Sequence, residues 1–423
     1  MRAAPVPAVP ATAPRPADLR GWARLGADAV VGITDAVEAL HATIVRLSPP
    51  LGRARAGRTR GLTGFVYRTV RGTARAVGGG LELALGALAR EPASAEGAPP
   101  SPRREALVAV VNGIWGDHLA ASGNPLAIPM RLRVDGVPID AAAGPPPGLG
   151  DGRRLLVMVH GLCMNDLQWA RAGHDHGAAL AERAGWTPLR LHYDSGRHVA
   201  DNGRELSATL ESLLARWPVA VDEIAILGHS MGGLVARAAC IAAHEAGHAW
   251  PARLSAMVFL GTPHLGAPLE RGGHALERAR GLSPYAAPFA RLGRARSAGI
   301  VDLRHGAVRD ARSAKAGTAS HAPIDAGLPR GVAAYAIAAP RRAPGAHGRP
   351  ASDGLVPVDS ALGRHADPAR ALPIPDAHRR VIHASNHWGL LDRPEVTEHL
   401  LRWLSRAPRR GRRVTRPGSA AAR

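Results

Sequence analysis

One short segment constrains the fold of this chain more than any other: a serine between two glycines, placed where an apolar strand meets a helix. Residues 228–233 have the sequence GHSMGG, which matches the pattern G-x-S-x-G. The apolar run EIAIL (223–227) precedes them, and the helical sequence GLVARAACIAAHE (233–245) follows. This order of strand, sharp turn and helix projects the Ser230 hydroxyl from the end of a sheet as a nucleophile. The glycines allow strand and helix to approach, and the helix N-terminus favours developing negative charge.

Apolar runs of strand length recur on both sides of this segment and alternate with helical sequences. The helical stretches 175–184, 201–216 and 233–246 separate most of them. This alternation predicts a mostly parallel sheet covered by helices on both faces, which is an α/β fold. In addition, Asp135-Gly136 predicts the turn of a hairpin over 131–140. The predicted strands are 155–159, 189–193, 223–227, 256–260, 332–337 and 371–374.

A second segment suits the stabilisation of an oxyanion. The predicted strand 155–159 continues into His160-Gly161-Leu162. An acyl-transfer site needs two backbone N–H groups at the position that the oxyanion will occupy. Met231, the residue after the serine, supplies one donor, and Leu162 is the candidate for the other. A His-Gly pair after a strand, taken alone, indicates only a turn.

The acid that supports a serine nucleophile follows it in the chain for this type of fold, and the base follows the acid. The sequence SDGLVP (352–357) comes after the predicted strand 332–337, so Asp353 lies beyond a strand end. Asp353 is therefore the preferred acid. Asp359 and Asp376 remain as alternatives.

The base has to be chosen among 20 histidines. His387 lies in SNHWGLL (385–391), a loop before the predicted last helix 394–404. A histidine on a loop after the last strand can reach the serine. His383 is the nearest alternative, followed by His378. The order of Ser230, Asp353 and His387 in the chain favours this set.

The motifs HGL, GHSMGG, GTPHLGAP, SDGLVP and NHWGLL resemble those of the α/β-hydrolase superfamily, close to its lipase and esterase branch. They are also similar to the bacterial relatives of the GPI inositol-deacylase family. The resemblance covers roughly residues 104–405. It implies that His264 of GTPHLGAP lines the cleft without being catalytic. It further implies a nucleophile, an acid, a base and two oxyanion donors at Ser230, Asp353, His387, Leu162 and Met231.

The remaining sequence divides into segments of different composition. An insertion-like stretch over 267–328 is either a lid over the site or an irregular surface excursion. The full expected layout is a disordered N-terminus (1–17), a helical extension (18–90), a linker (91–103), the hydrolase domain (104–405) and a basic disordered tail (406–423).

The net charge of +20 comes almost entirely from arginine, since Lys315 is the only lysine among 54 basic residues. The segment 53–77 combines seven arginines with one apolar helical face. This pattern is typical of a helix at a lipid or membrane surface, and equally of a packed helix with a solvated basic face. We see no nucleic-acid-binding module, so no specific nucleic-acid partner is expected.

Two cysteines, Cys163 and Cys240, exclude a disulfide-rich scaffold and a four-cysteine zinc site. We expect both to be buried and reduced. The proposed chemistry requires no metal and no organic cofactor. The N-terminal sequence shows no targeting segment and the chain no run of 18 apolar residues, so we expect a cytoplasmic protein that associates at most peripherally with membranes.

The sequence predicts a serine hydrolase that cleaves carboxylic esters, with a lipid-like acyl ester as substrate. The substrate expectation rests on the resemblance and on the lid. A thioesterase, an amidase and an acyltransferase share the same triad, and sequence does not separate them. The alternative of another class is a non-catalytic lipid-surface or granule-binding protein on a hydrolase fold.

Overall fold

The computed structural model describes residues 17–28, 31, 68–69, 71–73, 75, 79, 101–139, 145, 149–267, 297–309, 328–341 and 352–405. Within these residues, eight strands form one sheet in the order β2-β1-β4-β3-β5-β6-β7-β8. The strands from β4 to β8 are parallel, and the β1–β2 hairpin is antiparallel at one edge. The strands are β1 (Arg131–Val134), β2 (Val137–Ile139), β3 (Arg154–Val159), β4 (Thr187–His192), β5 (Glu223–His229), β6 (Leu254–Leu260), β7 (Ala333–Ala338) and β8 (Arg379–Val381).

Helices cover both faces of this sheet, as the alternating sequence predicts. In β3, Leu155, Val157 and Val159 lie on the face covered by the helices that begin at Val199 and Met231. Leu156 and Met158 lie on the other face, which is covered by the helices that begin at His176 and Pro394. The α/β-hydrolase fold class is confirmed. The helices are α1 (Pro102–Ala121), α2 (His176–Ala184), α3 (Val199–Ala215), α4 (Met231–Ala246), α5 (Ala298–His305), α6 (Val358–Ala361) and α7 (Pro394–Leu404).

The strand order places a crevice above β3 and β5. β3 pairs with β4 on one side and with β5 on the other. Its following helix α2 covers one face of the sheet, whereas α4, which follows β5, covers the other. The loops leaving these two strands therefore diverge, and ligands bind in such a crevice at the carboxyl ends of the strands.

One predicted strand is wrong. Residues 371–374 have no strand structure, and the last strand of the described chain is β8, at Arg379–Val381. The sequence there is LPIP, in which Pro373 and Pro375 carry no N–H to donate to a neighbouring strand. Leu372 and Ile374 are buried all the same, which explains why their apolar pattern resembled a strand.

The described part of the N-terminal region packs against the hydrolase domain. Residues 17–28 are helical. The carboxylate of Asp18 accepts two hydrogen bonds of 2.5 Å from the Arg104 guanidinium at the start of α1. Leu25 is buried in one apolar cluster with Val108 and Leu119 of α1. This helix and α1 therefore form one packed unit.

Several segment predictions lie mostly outside the described residues. Of the basic segment 53–77, the structure describes only 68–69, 71–73 and 75. Of the predicted lid 267–328, it describes residue 267, residues 297–309 and residue 328, and α5 within them packs against α1 and α3. The termini 1–16 and 406–423 and the linker residues 91–100 are outside as well. The last linker residues, 102 and 103, belong to α1.

Among the described residues, no helix combines the length and the apolar composition that crossing a membrane requires.

The packing of α3 on α4 generates a stability prediction. A Cβ atom at Gly203 of α3 would lie 2.5 Å from the Cβ of Ala238 on α4. We expect Gly203→Ala to lower the free energy of unfolding by about 1–3 kcal/mol, because the two helices would be forced apart. Urea denaturation measures this. Gly26→Ala is the matched control, since a Cβ there meets no atom within 4 Å. Equal midpoints for the two variants would contradict this account.

Candidate active site

Ser230 lies at the turn between β5 and α4 with a strained backbone. Its φ and ψ are 53° and −125°, in a region that residues with a side chain rarely adopt. The Ser230 N–H donates to Leu260 O of β6 at 2.8 Å, and the Gly233 N–H donates to Ser230 O at 3.1 Å. The turn is therefore tied both to the neighbouring strand and to the helix that follows.

The glycines around Ser230 are required by close approach. A Cβ at Gly228 would lie 2.6 Å from Cα of Gly233, which confirms that a side chain there would separate strand and helix. A Cβ at Gly232 would lie 2.0 Å from Val159 O at the end of β3. The first turn of α4 thus packs directly on the strand that leads to the predicted oxyanion loop.

Asp353 and His387 form a buried hydrogen-bonded pair. The Nδ1 atom of His387 lies 2.6 Å from Oδ2 of Asp353, and each residue is 3% exposed. The other carboxylate oxygen of Asp353 accepts the N–H groups of Leu355 and Val356 at 2.8 and 2.7 Å. These two amides fix the carboxylate, so Oδ2 is left facing the imidazole. A carboxylate only accepts hydrogen bonds, so the ring donates from Nδ1; in the tautomer that carries its single proton there, Nε2 is an acceptor.

The imidazole of His387 and the Ser230 turn lie against consecutive residues of the loop after β6. A Cβ at Gly261 would lie 3.1 Å from Cε1 and Nδ1 of His387. The preceding residue, Leu260, accepts the Ser230 N–H. His229, directly before the serine, donates from Nε2 to His387 O at 3.1 Å, and the two rings are 4.7 Å apart. The structure thus brings serine, histidine and aspartate to the same end of the sheet.

The alternative acids do not reach His387. Asp359 is exposed on α6. Asp376 is exposed and accepts hydrogen bonds from Arg379 at 2.8 Å and Arg364 at 3.1 Å. Those two guanidinium groups hold the pKa of Asp376 below its usual value. Of the three carboxylates considered, only Asp353 contacts a histidine of the predicted set.

The alternative bases are placed elsewhere as well. His383 is exposed. The Nδ1 atom of His378 donates to Ala334 O at 3.1 Å, and its ring packs on Tyr335, 4.3 Å between centroids. His264, expected to line the cleft, is 1% exposed and packs edge-to-face on Phe259, so it is part of the interior instead.

Two amide groups border Ser230 where an oxyanion would form. A Cβ at Gly161 would lie 2.9 Å from Cβ of Ser230, so the loop after β3 lies against the serine. Its next residue is Leu162, whose N–H has no hydrogen-bond acceptor among the described residues. Met231 is the first residue of α4, and the N–H groups of a first helical turn have no intrahelical acceptor. Both predicted donors are therefore adjacent in the chain to residues at the serine: Leu162 follows Gly161, and Met231 follows Ser230 itself.

The other histidines around the site are held neutral. Burial lowers the pKa of His160 to about 3 and lowers the pKa of His229 well below its ordinary value. The His160 ring stacks on Tyr193, 4.4 Å between centroids, and the Tyr193 hydroxyl donates to His160 O at 2.8 Å. These rings shape the site without adding charge to it.

A buried group of Glu105, Asp166 and His192 is the one set of possible metal ligands within the described residues. The Arg133 guanidinium donates to both carboxylates, at 3.1 and 3.2 Å. Arg104 also donates to Glu105 at 2.9 Å, so two guanidinium groups balance the two carboxylates, and we interpret the cluster as an ion-pair network that joins α1 to the sheet edge.

Sequence reasoning missed three contacts of the site. These are the bond from His229 to His387 O, the bond from Tyr193 to His160 O and a bond from the Cys163 N–H to the Ser195 hydroxyl at 3.0 Å. Each joins residues more than 30 positions apart in the chain. The only sequence signal is their place in the chain: His229 and His160 lie inside the motifs, Tyr193 ends the predicted strand 189–193, and Ser195 follows it.

A comparison with known protein families finds one match. Residues 192–287 match a family described as the PGAP1-like alpha/beta domain. The curated proteins contain no match to this chain. The chain is also similar, at low sequence identity, to several solved lipases and esterases.

Three solved structures illustrate this similarity. A Bacillus licheniformis lipase is 19% identical with a TM-score of 0.39, covering 62% of this chain and 94% of the lipase. A Thermogutta terrifontis esterase is 16% identical with a TM-score of 0.35, covering 60% and 89%. Aspergillus fumigatus lipase B is 15% identical with a TM-score of 0.34, covering 60% and 53%.

The two cysteines provide a prediction about which nucleophile is available. Cys240 is buried as expected, whereas Cys163 is half-buried, so the expectation of burial is wrong for Cys163. Desolvation by the surrounding protein nevertheless raises the pKa of both thiols to about 12. At pH 8 the thiolate fraction of each is then about 10⁻⁴, and the thiolate is the reactive form. We expect iodoacetamide at pH 8 to leave both cysteines of the folded protein unmodified and to alkylate both after unfolding in guanidinium, as counted by intact mass. Rapid alkylation of folded Cys163 would contradict this.

Proposed function

We propose that this protein is a serine hydrolase that cleaves carboxylic esters through an acyl-enzyme. The observation that carries the proposal is the buried hydrogen bond between His387 and Asp353, 2.6 Å long, beside the strained turn of Ser230. A nucleophile, a base and a group that orients the base are the elements of such catalysis.

In the acylation step, Ser230 Oγ forms a bond to the ester carbonyl carbon while its proton passes to Nε2 of His387. The carbonyl oxygen becomes an oxyanion that accepts the N–H groups of Leu162 and Met231. Asp353 keeps the Nδ1–H tautomer of the imidazole and stabilises the imidazolium that forms. The N-terminus of α4 adds a favourable potential for this negative charge.

The tetrahedral species then collapses. The bond to the leaving oxygen breaks, and His387 returns its proton to the departing alcohol, which leaves an acyl ester on Ser230. In the second half, a water molecule gives a proton to the same Nε2 atom and attacks the acyl carbon. The acid is released and Ser230 recovers its proton, so the protein ends unchanged.

The proposed substrate is an ester with an apolar acyl chain. Support comes from the motif resemblance and from two apolar side chains next to the reacting groups: Leu162 on the oxyanion loop and Trp388 after His387, both half-buried. Contact of the basic segment 53–77 with an anionic lipid surface would bring the enzyme to lipid-like esters, and this part rests on the sequence alone. We place the enzyme in the cytoplasm on the same basis.

One assay separates the candidate activities. A fluorophosphonate probe labels an activated serine, and peptide mapping after labelling identifies the residue. A panel of p-nitrophenyl esters of rising chain length, run beside acyl thioesters and with an added alcohol as acceptor, then separates esterase, thioesterase and acyltransferase. A protein that labels at no serine and hydrolyses no ester would be a non-catalytic binding protein on this fold.

The first prediction concerns the nucleophile. We expect Ser230→Ala to reduce kcat by about 10⁶ with p-nitrophenyl butyrate, because no atom remains to form the acyl-enzyme. The thermal melting curve should keep a single cooperative transition and fluorophosphonate labelling should disappear. Retention of near-native turnover by a folded variant would refute the proposed mechanism.

The second prediction concerns the acid. In Asp353→Asn the amide oxygen can still accept the N–H groups of Leu355 and Val356, which leaves the amide NH₂ facing Nδ1 of His387. The imidazole must then carry its proton on Nε2 and cannot accept one from Ser230. We expect kcat to fall by about 10⁴. Asp359→Asn, an exposed change six residues away, is the control and should keep full activity. If Asp359→Asn lost activity and Asp353→Asn kept it, Asp359 would be the acid and the assignment to Asp353 would be wrong.

A further inference from the structure

We propose that Ser195 is a positioning residue of the oxyanion hole, which acts through Cys163 to orient the N–H of Leu162. The inference rests on the proposed function. Ser195 lies in the loop after β4 and is 1% exposed. Its hydroxyl accepts the Cys163 N–H at 3.0 Å.

The contact fixes a turn that is otherwise unfavourable. The Met164 N–H donates to Gly161 O at 3.3 Å and closes a four-residue turn over 161–164. Cys163, the third residue of this turn, has φ of +59°. Positive φ at this position requires the central peptide, between Leu162 and Cys163, to be flipped relative to the common type I turn. Left-handed backbone is unfavourable for a residue other than glycine, so another contact has to stabilise it.

The Ser195 hydroxyl supplies that contact, because its partner is the N–H of the flipped peptide. If the peptide turned back, the Leu162 carbonyl would replace that N–H, so the bond from Cys163 would be lost and the Ser195 hydroxyl would have to turn round and donate instead. Leu162 therefore lies between two anchors: Gly161, in contact with Ser230, and Cys163, bonded to Ser195. The direction of its amide follows from both.

Ser195 itself is held rigidly by helix α1. A Cβ at Gly196 would lie 2.0 Å from Asn112 O, so the loop after β4 lies directly on the helix backbone. A Cβ at Gly113 would lie 2.3 Å from Sγ of Cys163 and 2.9 Å from its N, so the same helix also backs the oxyanion turn. The donor residue Cys163 and the loop that carries the acceptor Ser195 thus both pack against the same helix, α1.

The experiment compares Ser195→Ala with a matched control. We expect Ser195→Ala to lower kcat by about 10- to 100-fold with little change in KM, because a displaced donor weakens transition-state binding. Affinity for a trifluoromethyl ketone, which forms a tetrahedral adduct on the serine, should fall by a similar factor. Affinity for an ether analogue without a carbonyl should not change.

Ser207→Ala is the matched control. Ser207 lies on α3 and also has a buried hydroxyl, which accepts the Trp250 indole N–H at 3.0 Å. The kcat of Ser207→Ala should equal that of the wild type.

A double-mutant cycle tests the route through the turn. Glycine adopts positive φ without strain, so in the Cys163→Gly background the turn needs the hydroxyl less. The fold-decrease in kcat caused by Ser195→Ala should therefore be at least several times smaller in the Cys163→Gly background than in the wild type. A general structural role of Ser195 would not produce this coupling between the two substitutions.

The outcomes separate the two proposals. If the wild type labels with fluorophosphonate and Ser195→Ala keeps its kcat within twofold, the inference is overturned and the proposed function stands. The inference is also overturned if the ether analogue loses affinity in parallel, or if Ser207→Ala loses as much kcat. A wild type that neither labels nor hydrolyses esters overturns both.

Discussion

The backbone of Ser230 holds a left-handed conformation that a serine does not adopt unaided, and the rest of the site depends on how it is kept there. Three elements share that task. β6 accepts its N–H through Leu260 O, α4 closes the turn through the Gly233 N–H, and Gly232 brings the first turn of α4 against the end of β3. Because β3 and β5 are neighbours whose loops leave in opposite directions, the serine faces the loop that starts at His160. The order of the strands thus determines which amides can become oxyanion donors.

Burial decides which histidine can act as a base. His160, His229 and His264 are fully surrounded, and desolvation keeps each neutral by lowering its pKa. His387 is also buried but differs in having a carboxylate 2.6 Å from Nδ1. In the proposed mechanism that carboxylate stabilises the imidazolium formed by proton transfer, whereas the other rings would have to carry the charge unassisted. His229 contributes through a neutral contact, since its Nε2–H fixes the backbone of His387.

The sequence predicted those parts of the site that are local in the chain. The elbow at Ser230, the glycine spacing and the order of strands and helices follow from periodicity and turn chemistry over 10 to 15 residues. The preference for Asp353 over Asp359 rests on its place after a predicted strand, on the order of the motifs in the chain and on the family resemblance. The structure separates the two carboxylates by burial, which the sequence between them does not encode. The bond between Ser195 and Cys163 spans 32 positions and follows from how two loops meet on α1. The predicted strand at 371–374 is wrong because its apolar alternation reflects burial, whereas Pro373 and Pro375 lack the N–H groups that pairing with a neighbouring strand requires.

Helix α1 lies outside the sheet and outside every catalytic motif, yet it contacts the backbone of both loops that border the oxyanion position. This requires small residues: Gly113 admits Cys163, and Gly116 admits the buried carboxylate of Asp194, whose Oδ1 would lie 1.8 Å from a Cβ there. Burial raises the pKa of Asp194 to about 7, and its Oδ1 accepts the Gly196 N–H at 2.9 Å. The helix is tied in turn to residues 17–28 through Asp18 and Arg104. The predicted domain boundary at residue 104 therefore separates residues that pack as one unit. The loop proposed to stabilise the oxyanion also lies against α1, a helix that the sequence motifs alone place at the edge of the domain.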